Sequence, residues 1–189
     1  MKKLRPLHSR GFTLVELLIT LAILIIAAGI AVPAFSSLSL SNARTSSVNS
    51  YFGAFAFARY QAVKTRAITA ICPLDEENKC VDDWNRQVSI FPDVDRDQRP
   101  DDNTIWRVIN PRSSRLRVHS RTAGSGSFHF GPDGIVYGGT GSLVICPDDV
   151  SSGQMTYIAV SRGGRARQVR DDDGDGHIRL AWGGELTCS

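Results

Sequence analysis

Residues 11–35 read GFTLVELLITLAILIIAAGIAVPAF and carry one charge, Glu16. About 20 apolar residues cross the hydrocarbon core as a helix, so this run is long enough to span a bilayer. The flank ahead of it, MKKLRPLHSRG, is basic and has no acid. By the positive-inside rule that end stays in the cytoplasm, and everything after about residue 36 faces the periplasm or the exterior. Glu16 is the anomaly. An unpaired carboxylate costs about 2.5–3.5 kcal/mol at the centre of a membrane helix, so it should face a partner.

Outward from this run, the remainder of the 189-residue chain has the length and the 42% hydrophobic, 22% charged composition of one globular domain. The formal charge of +3 comes from the basic flank, where Lys2, Lys3, Arg5 and Arg10 precede the apolar run. Bulk charge therefore selects no partner, and only local clusters can. Cys72, Cys80, Cys146 and Cys188 fit neither a redox C-x-x-C pair nor zinc half-sites. Beyond a membrane segment they read as two disulfides with three possible connectivities. We favour Cys72–Cys80 and Cys146–Cys188; free buried thiols are the alternative.

Past Pro33 the apolar pattern becomes one-sided. Val48, Tyr51, Phe55, Ala58 and Ala62 follow steps of three and four, and Phe52 and Val63 widen the stripe. The expectation is one helix over about 12–70, with a membrane half (12–35) and an amphipathic half (36–70). Pro33 should kink or locally open it. From residue 71 to 189 short β-prone runs alternate with Gly, Pro, Asp and Ser turns, at 87–91, 104–109, 115–120, 127–130, 134–138, 142–146, 155–160 and 166–170. An antiparallel sheet covering the amphipathic half of a long helix is an α+β fold.

The string Gly11-Phe12-Thr13-Leu14-Val15-Glu16, between a basic leader and a membrane span, resembles the prepilin signal of type IV pilins and type II secretion pseudopilins. The resemblance implies a leader of residues 1–11, cleavage by a prepilin peptidase between Gly11 and Phe12, and N-methylation of Phe12. It also implies an inner-membrane anchor and assembly with other pilins or pseudopilins. Glu16 would meet the N-terminal amine of a neighbouring subunit, and Pro33 matches a proline common in pilin helices. Further on, Cys80, Trp84, Val88, Phe91 and the turn Asp93-Val94-Asp95-Arg96-Asp97 resemble an early hairpin of the GspH/FimT group, as Phe130-Gly131-Pro132-Asp133-Gly134 resembles a turn of that group.

Motifs of nucleophilic, zinc-hydrolytic and P-loop chemistry do not occur, and His119, His129 and His177 have no near partner at ligand spacing, which argues against an enzyme. No cofactor is expected. Two acidic stretches have the odd spacing of calcium loops, Asp93, Asp95, Asp97 (with Asp101) and Asp171, Asp173, Asp175. Neither supplies six oxygens by itself, and solvated acidic turns are the plainer reading. Two basic groups stand out. Arg115, Arg117, His119 and Arg121 are two apart, so a strand would project them from one face. Arg162, Arg165, Arg167 and Arg170 surround Gly163-Gly164, a hairpin signal, with Arg165 and Arg167 expected on one side. Gly164-Arg165-Ala166-Arg167 resembles the G-R-x-R motif of FimT-type minor pilins, which implies DNA contact through Arg165 and Arg167, with Arg162 and Arg170 flanking. The alternative is a structural subunit that primes pilus assembly or type II secretion, its arginines meeting neighbouring subunits.

Overall fold

The computed structural model describes residues 12–111, 113–122, 125–149, 155–171, 173, 175–180 and 183–188; Gly11 and the rest of the leader lie outside them. Helix α1 spans Leu14–Thr65 and is assigned continuously through Pro33. Thr13 stands at its N-cap, where its Oγ1 accepts the Glu16 N–H at 3.2 Å, the first half of a capping box. The chain divides into two compact units, one ending at Ser39 and the other beginning at Leu40.

Within the first unit, the described side chains from Phe12 to Leu38 are exposed, among them Leu14, Leu18, Ile23, Leu24, Ile26 and Ile30. The helix is long and apolar enough to cross a membrane. Glu16 has no cationic partner among the described residues.

In the second unit the helix buries a stripe. Val48, Tyr51, Ala54, Phe55, Ala58 and Ala62 are all 3% exposed or less, while Val63 is half exposed and lies outside the stripe it was expected to widen. The helix ends at Thr65 rather than near residue 70, because Arg66 turns into the left-handed region at φ 53° and the following Thr69–Pro73 is strand β1.

Strands follow at Val88–Pro92 (β2), Arg107–Ile109 (β3), Leu116–Arg121 (β4), Phe128–Phe130 (β5), Val136–Tyr137 (β6), Gly141–Pro147 (β7), Thr156–Val160 (β8), Ala166–Arg170 (β9), His177–Arg179 (β10) and Glu185–Thr187 (β11). They form not one sheet but three antiparallel sets: β3-β2-β1-β5-β6, β4-β7-β8-β9, and the ribbon β10-β11.

Strand alternation sorts the side chains into layers. Ile71, Val88, Ile90, Phe128 and Phe130 of the first sheet, and Val118, Leu143, Ile145, Ile158 and Val160 of the second, share one core with the helix stripe. The intervening positions of β7, Val144 and Cys146, point the other way and pack with Met155, Tyr157, Ile178 and Leu186 under the ribbon. Buried on both faces, β7 is apolar almost throughout. Trp84 lies in the connection of the early β1–β2 hairpin and plugs the core beside Tyr51, Phe55 and Phe128 with ring centroids 5.6–6.3 Å away. The Tyr51 hydroxyl donates to the Trp84 carbonyl at 2.8 Å, and burial pushes its pKa above the ordinary tyrosine value.

Two disulfides close the unit. Cys72–Cys80 ties β1 to the loop before β2, and Cys146–Cys188 ties β7 to the C-terminal end of the ribbon.

Candidate nucleic-acid interface

The β8–β9 hairpin presents the C-terminal arginines. Its turn runs from Ser161 to Arg165: the Ser161 N–H donates to the Arg165 carbonyl at 2.9 Å, the Gly164 N–H to the Ser161 carbonyl at 2.9 Å, and the Arg165 N–H to Ser161 Oγ at 3.3 Å. Gly164 has φ 72°, which only glycine adopts freely. A β-carbon there would stand 2.2 Å from the Gly134 carbonyl oxygen, so this turn sits flush against the Gly131–Gly134 turn between β5 and β6. The Val136 N–H donates to the Arg162 carbonyl at 2.9 Å. The hairpin is thus docked on the first sheet, which limits how far its arginines can swing.

Arg162, Arg165, Arg167 and Arg170 are all exposed and none forms an ion pair with a described carboxylate. They do not form one face. Arg165 still belongs to the turn, where strand alternation does not yet apply, and lines a groove with Phe52, Arg59, Tyr60 and Val63 of α1. Arg167 is the second residue of β9, opposite Ala159, and lines a groove with Arg121 of β4 and Tyr157 of β8. By alternation Arg170 shares the helix-facing side with Ala166, which packs into the main core. There the Arg44 guanidinium is held below its usual pKa, first by burial and then by the Arg170 charge.

The second basic group obeys its alternation from β4 onward: Leu116 and Val118 are buried, whereas Arg117, His119 and Arg121 are exposed. Arg115 is exposed and precedes the strand. Arg117 is already engaged, its Nε 2.6 Å from Asp148 Oδ1, which leaves Arg121 as the member that reaches the hairpin. Arg59 and Tyr60, beside Arg165, are site residues that sequence reasoning missed. Their only signal was their place off the apolar stripe.

The acidic stretches divide differently from their spacing. Asp93, Asp95 and Asp101 bring carboxylate oxygens within 4.8 Å of one another, in place of the expected Asp93, Asp95, Asp97. Asp97 instead accepts the Arg99 N–H at 2.8 Å. Asp171, Asp173 and Asp175 do gather. Arg179 pairs with two of its members, 2.6 Å from Asp175 and 3.4 Å from Asp173, and its hydrogen bond holds the Asp175 carboxyl below the usual range.

Residues 47–164 match the family described as Type II transport protein GspH. The chain belongs to the GspH family. Residues 7–32 of this GspH-family chain also match the prokaryotic N-terminal methylation motif. Among solved structures it is similar to the type IV minor pilin FimU of Pseudomonas aeruginosa (strain PAO1) in two crystal forms. The first is 16% identical, with a TM-score of 0.56 over 70% of this chain and 92% of that one. The second is also 16% identical, with a TM-score of 0.52 over 68% and 93%. The minor pseudopilin EpsH of the Vibrio cholerae type 2 secretion system is 11% identical, with a TM-score of 0.47 over 69% of this chain and 98% of that one. Comparison with curated proteins gives no match. The fold is type IV pilin-like, and the family and motif support a minor pilin or pseudopilin role.

Proposed function

We propose that this protein is a minor pilin or pseudopilin subunit, made as a precursor in the inner membrane and built into a filament, and that its C-terminal hairpin binds DNA without sequence preference. The basic flank remains cytoplasmic and the β-rich unit periplasmic. A prepilin peptidase removes residues 1–11 and methylates Phe12. The observation that carries the filament reading is the first unit itself: an apolar helix with every described side chain exposed to Leu38 and, near its start, a Glu16 with no cationic partner among the described residues. Lipid covers the apolar surface but leaves the carboxylate unpaired. A neighbouring subunit covers both, if its N-terminal amine meets Glu16 as the helices bundle.

DNA contact is supported by Arg165 and Arg167, exposed, without ion pairs among the described residues, and held on a docked hairpin, with Arg59 and Arg121 lining the same grooves. Guanidinium groups fork to two phosphate oxygens at once. Binding built on such contacts rests on counterion release, so it is tolerant of sequence and weakens steeply with salt. With the full-length protein in neutral detergent and a duplex of mixed sequence, we expect saturable binding at low salt. Arg165→Ala combined with Arg167→Ala should weaken it at least about tenfold and flatten its salt dependence by about two phosphate contacts. No binding at low salt, or an unchanged double variant, contradicts the DNA reading.

A second reading has its own observation. Arg117 is committed to Asp148, and Arg165 and Arg167 line different grooves, as expected of contacts to separate neighbouring subunits in a purely structural filament component. In that case the same double variant lowers filament yield and leaves DNA retention at the level of an unrelated detergent-solubilised protein.

A further inference from the structure

The loop after β2 differs from the other acidic group in one respect: its clustered carboxylates have no Lys or Arg partner among the described residues. Asp93 is completely buried. One of its oxygens, Oδ2, is 2.7 Å from His129 Nε2, and the other, Oδ1, is buried with no hydrogen-bond partner. An ionised oxygen in that position carries a desolvation cost that no hydrogen bond from the described residues offsets. Asp95 and Asp101 bring carboxylate oxygens within 4.8 Å of that carboxylate and of each other. Among the described residues no Lys or Arg pairs with any of the three. The two arginines of the loop are turned elsewhere, Arg96 over the Tyr137 ring and Arg99 to the Glu77 carbonyl at 2.7 Å.

The loop is also held in place without help from a ligand. The Asp93 N–H donates to the Ile68 carbonyl at 3.0 Å, the Cys80 N–H to the Gln98 carbonyl at 3.0 Å, and the Val94 N–H to Asp101 Oδ2 at 2.9 Å. His129 stands behind Asp93 as an outer partner that orients a carboxylate toward a cation, the arrangement common around bound metals.

We propose that Asp93, Asp95 and Asp101 bind a hard divalent cation, and that the cation is Ca²⁺. Two oxygens on opposite sides of Ca²⁺ lie about 4.6–5.2 Å apart at its bond lengths, so one ion can bridge all three carboxylates. Water completes a shell that three protein ligands leave open, which places the affinity at about 10⁻⁴–10⁻³ M, the range of extracellular modules. The ion satisfies Asp93 Oδ1 and cancels the repulsion among three clustered carboxylates. In the group around Asp171, Asp173 and Asp175, Arg179 already pairs with two of the carboxylates.

The test is calorimetric titration of Ca²⁺ into the full-length protein in neutral detergent, cleared of metal beforehand, with thermal unfolding followed in parallel. We expect one site per chain, an unfolding midpoint raised by several degrees at saturation, and at least about tenfold weaker binding in Asp95→Asn, whose amide oxygen still accepts the Asp97 N–H. Asp101→Asn should weaken binding to a similar extent, and Asp173→Asn with Asp175→Asn should leave it unchanged. Absence of heat and of any midpoint shift up to about 10 mM Ca²⁺, or an affinity unchanged from the parent in Asp95→Asn and in Asp101→Asn, overturns the site. An equal response to Mg²⁺ overturns the assignment to calcium.

Discussion

Gly164 shows how one residue ties the arginine hairpin to the rest of the fold. Its φ of 72° excludes ordinary side chains, and its α-carbon leaves no room against the Gly134 carbonyl. Gly164→Ala must adopt a strained backbone and push two turns apart, which we expect to cost about 2–4 kcal/mol. Gly163→Ala meets nothing within 4 Å and should stay within about 0.5 kcal/mol of the parent. Denaturant titration of the two variants side by side measures the difference, and equal stabilities would show that the turns are not in contact. At this scale much of the site was legible: a Gly-Gly pair flanked by arginines in a β-prone region reads as an exposed hairpin. What could not be read was the company of each arginine. Arg167 lines one groove with Arg121 because β4, β7, β8 and β9 lie in that order, and Arg165 lines another with Arg59 and Tyr60 because the helix packs beside the turn. Both depend on pairings between segments far apart in the chain.

At the scale of elements, the helix was the most readable part, since steps of three and four among Val48, Tyr51, Phe55, Ala58 and Ala62 have one physical meaning. β1 was hidden for the opposite reason. Residues 67–70, Ala-Ile-Thr-Ala, suit a helix as well as a strand, and the choice is made by Arg66 leaving the helix and by pairing with β2 and β5. β10 and β11 have three residues each, too few for a period to emerge. The ribbon is kept by its packing under β7 and β8 and by the Cys146–Cys188 bridge. That bridge closes 42 residues, against 8 for Cys72–Cys80. Chain-entropy arguments then give about 4 and about 2.5 kcal/mol respectively. We expect Cys146→Ser with Cys188→Ser to lower stability more than Cys72→Ser with Cys80→Ser. Equilibrium unfolding of both pairs checks the order, and a reversed order would mean that the short acidic loop does more to hold β1 than its length suggests.

For the whole molecule, the division at Ser39 separates two kinds of surface. The second unit buries its apolar residues against its own sheets. The first leaves them exposed, so its partners lie outside the chain. The single carboxylate of the apolar run lies in the exposed unit: Glu16 has no cationic partner among the described residues, and on the proposed reading a neighbouring subunit supplies one. The GspH match over residues 47–164 and the methylation motif over residues 7–32 fall on these two parts in turn.

The filament claim has one direct test. Filaments sheared from cells producing the full-length precursor, together with its assembly proteins and prepilin peptidase, are purified and the intact mass of this subunit is measured. The account predicts a chain in the filament fraction that begins at Phe12, lacks residues 1–11 and carries one added methyl group. A subunit that retains Met1, or that is processed but never found in the filament fraction, would contradict it.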